Sequence, residues 1–577
     1  MAARASVAES RDVSESKSAA DGLGRLFGAV PKCLPILRGS TKFDFSPGGF
    51  ALFAAGAAFF VYLSYRPLWH TDLWGHLAYG RLIVRSGSIP LTEPLIPLCE
   101  GLPFVDFSWL SELLAYLTYQ WRGAPAVQFL HAASITACVG LLASCCLRKT
   151  GSAWAAALAA VIYVWVDWQQ LAIVRPQLAG CVCFVVLLAS CLPEGIPMRR
   201  PRRKLGFGVA LAACPPVCIG AARKNFTGGQ AAGATQHSGV VALVTTALFV
   251  VWANLHGSFL IGLAMLAAFV CGRAGDLIRR TCSVRLLRDD LRLRQGIFLL
   301  ILASAAVMLN PYGWRIYESA WHLSSNANLA DLVEWQPLRL WMWQGCAALA
   351  VALGLLVLYV LTPRRISTTE LLLLVGLGAA TLVASRMLIW WGPVAAYYAS
   401  LHAAAIWKRW RRHNREPASA SARTIPWYCT FVVAGVALAC TPLAAALPHR
   451  SPSDLSGSLS AETPIGVTGF LCTHPPGGQI FNTLEWGDYL LWAGPARLQV
   501  FVASHVHLVP RSVWQDYVRI ITLDDGWQKI LERYRINTAI VDDDRHAALA
   551  DALREDPAWA VAYEDAQGLI FVRRQPL

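Results

Sequence analysis

The chain has 577 residues, of which 55% are hydrophobic and only 15% are charged. Charged residues make up about a quarter of an ordinary soluble protein, so this composition excludes that class and indicates a polytopic membrane protein with some soluble mass attached. The net charge of +14 does not predict nucleic-acid binding, because the basic residues lie in short clusters between apolar runs, as expected for cytoplasmic loops of a membrane protein.

Residues 1–47 are rich in Ser and Ala with scattered Arg and Lys, and they contain no long apolar stretch. This pattern does not fit a cleaved signal peptide and predicts a disordered cytoplasmic arm. The 16 cysteines lie mostly within apolar runs and lack paired C-x-x-C spacing, so we predict no cysteine metal site.

Apolar length predicts about eleven membrane spans within residues 48–447. Several are shorter than the roughly 20 residues that a bilayer requires, which is normal in a large bundle. The predicted spans are 48–65, 124–147, 152–167, 171–192, 239–253, 257–272, 296–310, 341–361, 368–384, 387–407 and 427–447.

The basic clusters orient these spans. With a cytoplasmic N-terminus, every strongly basic loop falls on the cytoplasmic side; the loops are 148–149, 199–204, 273–294, 364–365 and 408–415. Residues 66–123 then form the first outer loop, with 109–121 as a juxtamembrane helix. The apolar segment 205–222 carries Pro-Pro, so we interpret it as interfacial or re-entrant.

The composition changes after the last predicted span. Residues 448–461 form a linker, and residues 462–577 alternate strand and helix patterns. The segments GQIFNTLEWGDYLLW and LQVFVA are interpreted as strands, DDGWQKILERY as a helix with an Asp cap, NTAIVDDD as a strand and turn, and WAVAYEDAQGLIFVRR as a terminal hairpin. The sequence therefore predicts a mainly α protein, a polytopic helical bundle with an extracytoplasmic soluble α/β domain at its C-terminus.

Polar and ionisable residues collect at the predicted outer ends of the spans. Charged groups at membrane depth are costly, so they usually face a cavity and pair. An arginine can hold a phosphate through two charge-assisted hydrogen bonds, and a carboxylate can accept a proton from a sugar hydroxyl or coordinate a metal. The candidate residues are Asp72, His76, Asp106, Glu112, Arg175, Asn254, His256, Tyr312 and Arg386.

Each candidate also has a structural interpretation. Both aspartates are favourable helix N-caps. Asn254 and His256 can satisfy the backbone at a helix break. Glu112 can lie on a solvated helix face, and His76 can simply pack in its Trp-rich stretch. We assign no residue as a metal ligand, although a divalent cation is left open as a cofactor.

Several motifs of the chain resemble those of a known group of proteins. The first motif lies in the first outer loop and comprises Asp72, Trp74, His76, Gly87, Ile89, Pro90, Thr92, Pro94, Trp109 and Glu112. Four segments further along the chain also belong to the resemblance, namely ANLHGSFL, LNPYGWRIY, EWQP and FNTLEWGDYLLW. From about residue 48 onwards, the chain resembles GT-C glycosyltransferases, and more closely a class of bacterial membrane proteins described as GT-C-like or as related to lipopolysaccharide-core sugar transferases.

This resemblance implies a polyprenyl-phosphate sugar donor and an essential aspartate early in the first loop. It assigns Asp72 as the leading base or acceptor-orienting carboxylate and Asp106 as the second catalytic candidate. Arg175 and Arg386 are predicted as phosphate clamps from topology and not from a family motif.

The chain departs from the pattern after WGDYL. Relatives often continue there into Asp-Gly-Arg, whereas this chain has Ala503, Ser504 and His505. If the acid and the arginine bind the acceptor, that contact is lost or changed here. His505 and His507 would share one face of a strand, and a metal site formed by this pair is the less favoured alternative.

Three functions remain open from the sequence. The leading one is an inverting membrane glycosyltransferase that moves a sugar from a polyprenyl phosphate to a lipid, glycan or protein at the outer face of the bacterial inner membrane. The second is a non-catalytic binding or assembly protein. A transporter ranks third, because transporters place polar residues near the midplane and here they gather at one end.

Overall fold

We describe the fold from a computed structural model. It describes residues 45–69, 71–191, 228–413, 424–448 and 457–577. The predicted arm up to residue 44, the apolar segment 205–222 and most of the linker lie outside these ranges.

Helices dominate up to residue 448. Polar caps start several of them: the Ser46 hydroxyl accepts a hydrogen bond from the Gly49 N–H, and Ser367 does the same for Glu370, as expected at helix N-termini. The helices are α1 (Pro47–Ser64), α2 (Leu73–Ser86), α3 (Trp109–Thr150), α4 (Ala153–Leu171), α5 (Gln177–Cys191), α6 (Gly228–Leu255), α7 (Phe259–Thr281), α8 (Leu291–Val307), α9 (Arg315–Ser324), α10 (Trp343–Leu361), α11 (Thr368–Val383), α12 (Leu388–His413), α13 (Trp427–Ala439) and α14 (Pro442–Ala446).

Each of the eleven predicted spans contains helix, although the last one is divided between α13 and α14 and 171–192 is helical mainly from residue 177. Membrane crossing by all eleven is not confirmed. Among the described residues, α1, α3, α7 and α10 are long and apolar enough to cross a membrane, and four further helices are apolar but shorter, namely α5, the 239–255 part of α6, α11 and α13. Length and composition therefore support a multi-pass membrane protein with at least these four candidate spans.

The predicted boundary between the juxtamembrane helix and the second span exists as a kink. Within α3, Arg122 and Gly123 have non-helical backbone angles, and Gly123 has a φ of 64°. Glycine adopts this conformation without a steric penalty, and Pro125 follows it. The kink separates the 109–121 segment, which carries Glu112, from the apolar part of α3.

Residues 457–577 form an α/β domain. The elements are α15 (Ile465–Thr473), β1 (Ile480–Asn482), α16 (Leu484–Ala493), α17 (Arg511–Ile521), α18 (Trp527–Arg533), β2 (Thr538–Asp542), α19 (Asp543–Glu555), β3 (Trp559–Glu564) and β4 (Gly568–Arg573). The sheet has the order β1-β2-β4-β3, with β1 parallel to β2 and the other pairs antiparallel. Ala539 on β2 pairs with Phe571 on β4, and both are fully buried.

The terminal hairpin and the β2 strand match the sequence prediction, but three details were wrong. LEWGDYLLW forms α16 and not a strand, and only the preceding 480–482 is extended. LQVFVA joins the sheet through one isolated bridge, Gln479 to Gln499. The Asn482 side chain also holds this segment, because it accepts a hydrogen bond from the Phe501 N–H and donates one to the Val502 carbonyl. The helix α18 begins after Gly526, without an Asp side-chain cap.

The C-terminal domain packs directly on α2. The Trp74 ring lies 5.3 Å from Tyr489, centroid to centroid. Arg81 donates hydrogen bonds to the carbonyl oxygens of Leu491 and Trp492, each at 2.9 Å, and its guanidinium lies 4.5 Å from the Trp492 ring centroid. Carbonyl groups at a helix C-terminus lack intrahelical partners. The Arg81 guanidinium supplies hydrogen bonds to two such carbonyls of α16, and it thereby holds the C-terminal domain against the first loop.

Candidate functional site

Asp72 sits in a strained turn at the start of α2. Its backbone has φ 51° and ψ −60°, and the Leu73 N–H donates to the Thr71 carbonyl at 2.5 Å. This is the rare positive-φ γ-turn, and such strain tends to persist where function requires it. Asp72 occupies the N-cap position but makes no capping bond, so the capping interpretation does not account for its carboxylate.

The Asp72 carboxylate instead pairs with Arg175. The Asp72 Oδ2 atom lies 2.7 Å from both Nε and Nη2 of Arg175. The same guanidinium donates to Glu334 Oε2 at 2.6 Å. Burial alone would raise the pKa of Asp72, but Arg175 outweighs it and holds that pKa below its usual range. Asp72 is therefore ionised at neutral pH.

Arg386 is the second cation of this cluster. Its Nη1 lies 3.5 Å from Glu334 Oε1, and its guanidinium carbon lies 4.3 Å from the centroid of the Trp335 ring. Its side chain is 26% exposed. Among the residues that the structure describes, its guanidinium donates no hydrogen bond, so these donors are available to a ligand.

The short turn Ser385–Met387 positions Arg386. The Ser385 hydroxyl donates to the Glu334 carbonyl, and the Ser385 N–H donates to the Gln336 carbonyl. From α4, the Gln170 amide donates to the Ser385 carbonyl. Two separate parts of the chain, the 334–336 segment and α4, thus fix the backbone that carries this cation.

His76, Glu112 and Asp106 lie in a neighbouring pocket. The Nδ1 atom of His76 is 2.8 Å from Glu112 Oε1, and Glu112 is fully buried. Glu112 is therefore not on the solvated helix face that the sequence allowed. Burial and the adjacent Glu112 carboxylate raise the pKa of Asp106 well above its usual value, which favours its neutral form. Its predicted catalytic role stays a prediction.

The remaining candidates support this pocket. The Asp106 N–H donates to the Tyr312 hydroxyl at 3.1 Å, and Asp106 Oδ1 accepts from the Ser108 N–H at 2.8 Å. Asn254 accepts from the Trp109 indole at 3.0 Å. These bonds hold the loop before α3 in place.

His256 lies in the connection between α6 and α7. Its Nδ1 accepts a hydrogen bond from the Ser258 N–H at 3.0 Å. Burial, with Arg386 as the next contribution, lowers the pKa of His256 to about 3, so the ring is neutral. Its contact with backbone agrees with the structural alternative that the sequence left open.

The sequence prediction did not include Glu334, Asp488 or His505 in the site, although each lies in a segment that the sequence singled out. Asp488 on α16 lies against Gly75 of the first loop, and it accepts a hydrogen bond from the Ser504 N–H of its own domain at 3.1 Å. Burial, followed by the Asp72 charge, raises its pKa to about 6. The prediction of His505 and His507 on one strand face was wrong, because Val506–Leu508 is a 3-10 turn.

Gly75 leaves room for the Asp488 carboxylate against α2. A Cβ atom at residue 75 would lie 2.6 Å from Asp488 Oδ1, too close for an ordinary contact. We expect Gly75→Ala to lower the free energy of unfolding by about 1–3 kcal/mol, as overpacking does. Thermal unfolding in detergent, followed by tryptophan fluorescence, measures this change.

Gly140→Ala is the matched control for Gly75→Ala. It lies in α3 with no atom within 4 Å of the added Cβ, and alanine favours helix, so this variant should be at least as stable as the wild type. Equal melting temperatures for the two variants would show that α2 and α16 do not pack as closely as described.

Comparisons with known proteins give the following. No family model matches the chain, and no curated protein matches it significantly in sequence. Among solved structures, it is similar to the oligosaccharyltransferase of Archaeoglobus fulgidus in its apo form, with a TM-score of 0.48 and 11% identity over 91% of this chain and 74% of that one.

A second similar structure is ArnT from Cupriavidus metallidurans bound to undecaprenyl phosphate, with a TM-score of 0.44 and 13% identity over 91% of this chain and 98% of that one. A third is AglB from Archaeoglobus fulgidus with an inhibitory peptide and a dolichol-phosphate, with a TM-score of 0.47 and 11% identity. Scores and identities this low establish no family for the chain.

Proposed function

We propose that the protein is a membrane glycosyltransferase that moves a sugar from a polyprenyl-phosphate donor to a hydroxyl or amide acceptor on a lipid, glycan or protein. The proposal places the reaction at the extracytoplasmic face of a bacterial inner membrane. One observation carries it: partly buried Arg386, whose acidic partner among the described residues is Glu334 at 3.5 Å, lies beside the ion-paired cluster of Asp72, Arg175 and Glu334.

The two arginines supply the phosphate-binding part of the site. Arg386 has free donors for a phosphate oxygen, and its stacking on Trp335 keeps the guanidinium plane fixed. Arg175 stands on the other side of Glu334. In the proposed reaction these cations stabilise the negative charge that gathers on the phosphate as it leaves.

Asp72 supplies the base in this proposal. The acceptor oxygen or nitrogen attacks the anomeric carbon, the bond from that carbon to the phosphate oxygen breaks, and Asp72 takes the acceptor's proton. The products are an inverted glycoside and the free polyprenyl phosphate. Arg175 keeps Asp72 ionised before the acceptor binds, but it also makes the Asp72 carboxylate a weaker base. Asp72 therefore orients the acceptor as well as removing its proton.

The neighbouring pocket takes the acceptor in this proposal. His76 and Glu112 offer a hydrogen-bonded pair. Asp106, whose raised pKa favours the neutral form, offers a carboxyl that can donate. Tyr312, Asn254 and His256 act through the loops that they hold.

Native mass spectrometry of the purified protein tests the proposal. We expect the wild type to retain a polyprenyl phosphate or its glycosylated form, and Arg386→Ala to lose it. Arg315→Ala is the matched control, because Arg315 is exposed and lies at the start of α9, outside the cluster; it should retain the lipid. Ordinary phospholipids alone in all three samples would contradict the proposal and favour a non-catalytic assembly protein.

A further inference from the structure

Three metal-ligating side chains converge where α2, α3 and the C-terminal domain meet. They are His76, Glu112 and His505, and one donor atom of each lies within 4.8 Å of the other two. Within the part of the chain that the structure describes, this is the one group of three such side chains with that spacing. Two of the three come from the predicted first loop and the third from the other domain.

One nitrogen of this cluster is buried without a partner. The Nδ1 atom of His505 has no hydrogen-bond partner among the described residues. Glu112 is fully buried, and its carboxyl group bonds His76 and lies against the Asp106 carboxyl group. Buried polar atoms in native proteins nearly always have a partner, and an unpaired one calls for an explanation such as a bound ion or water.

The surroundings hold His505 rigidly. Its ring lies 4.5 Å from the Tyr79 ring and 5.3 Å from the Phe104 ring, centroid to centroid. The backbone around it is fixed from outside, because the Asn328 amide donates to the carbonyl of Val506 at 3.0 Å. An apolar shell of this kind limits solvent access to a metal and fixes its ligands.

We propose that His76, Glu112 and His505 bind a divalent transition-metal ion, with Zn²⁺ as the ion that this donor set favours. Two imidazoles and one carboxylate are a common set of three protein ligands for zinc, with a fourth position left open. Imidazole selects late transition metals, whereas Mg²⁺ and Ca²⁺ prefer oxygen ligands. Bonds of about 2.0–2.1 Å place tetrahedral donors about 3.4 Å apart, so the side chains need to close by at most about 1.4 Å.

The ion would join the two domains. His76 and Glu112 belong to the membrane domain, and His505 stands where the sequence departs from the Asp-Gly-Arg of the resembling class. This inference depends on the ligand cluster and not on the proposed transferase activity, so either can fail without the other.

Metal stoichiometry and thermal stability test the site together. Full-length protein without a polyhistidine tag is stripped with a chelator in detergent, incubated with Zn²⁺ and freed of excess ion by gel filtration. We expect elemental mass spectrometry to find about one zinc ion per wild-type chain. The zinc-loaded protein should melt at a higher temperature than the stripped protein, and millimolar Mg²⁺ should not displace the zinc.

Variants assign the ligands. We expect His505→Ala to bind no zinc and to show the same melting temperature with and without it, and Glu112→Gln to behave likewise. His507→Ala is the matched control, since His507 is a neighbouring histidine outside the cluster, and it should bind as the wild type does. If His505→Ala does not fold, His505→Gln replaces it. A wild type without zinc, or a His505 variant with a full equivalent, would overturn the proposal.

Discussion

Asp72→Asn should reduce sugar transfer by about 10²–10⁴-fold, the usual contribution of general base catalysis. Asparagine tolerates a positive φ, so the strained turn survives the change. It has no charge, however, so it can neither take the acceptor's proton nor pair with Arg175. The rate is measured in reconstituted vesicles, with the glycolipid that co-purifies with the wild type as the donor. Mass spectrometry monitors the formation of the product.

Asp106→Asn is the comparison for this experiment. Burial and Glu112 raise the pKa of Asp106. This favours the neutral carboxyl, which an amide resembles in charge. Its rate should fall far less than that of Asp72→Asn. Full activity in Asp72→Asn would remove Asp72 from the chemistry and leave it as a partner of Arg175 only.

Arg175→Ala should lower both stability and lipid retention. It leaves Asp72 and Glu334 without their shared cation, and their side chains are 19% and 35% exposed. Removing one partner of a fully buried ion pair costs about 3–5 kcal/mol; partial exposure reduces this, so we expect about 1–3 kcal/mol less free energy of unfolding. The thermal midpoint in detergent reports the change.

Two further variants locate the cause. Arg175→Lys should fall between wild type and Arg175→Ala, because an ammonium does not reproduce the guanidinium fork that bonds both carboxylates. Arg545→Ala, which removes an exposed pair with Glu462, should change the midpoint little. A midpoint for Arg175→Ala equal to that of Arg545→Ala would show that the central ion pairs contribute nothing to stability.

Helix positions were predictable because long apolar runs and glycine or proline breaks act locally. The predicted boundary between 109–121 and 124–147 falls at the Gly123 kink in α3 for this reason. The error over LEWGDYLLW has a physical cause as well: five consecutive residues, 486–490, are buried, because α16 packs against both its own sheet and α2. Such two-sided burial removes the periodicity that distinguishes a helix from a strand.

The site was predictable in part. Topology placed Asp72, Arg175 and Arg386 on one predicted face, and the structure brings them into one cluster; their roles remain predictions. Glu334 and Asp488 could not be assigned in the same way. Glu334 pairs with Arg175 across 159 positions, and Asp488 lies against Gly75, more than 400 positions away. No local pattern in the sequence records such a contact.

The closeness of Asp72 and Asp488 also has a consequence in time. The two lie 416 positions apart in the chain, and synthesis at about 5–20 residues per second separates them by about 20–80 s. During that interval the first loop has emerged while α16 does not yet exist, so Trp74 and Gly75 lack the surface that later covers them. The nascent membrane domain must therefore remain folded while its site is incomplete. The site is completed only when the C-terminal domain has been synthesised and α16 packs on α2.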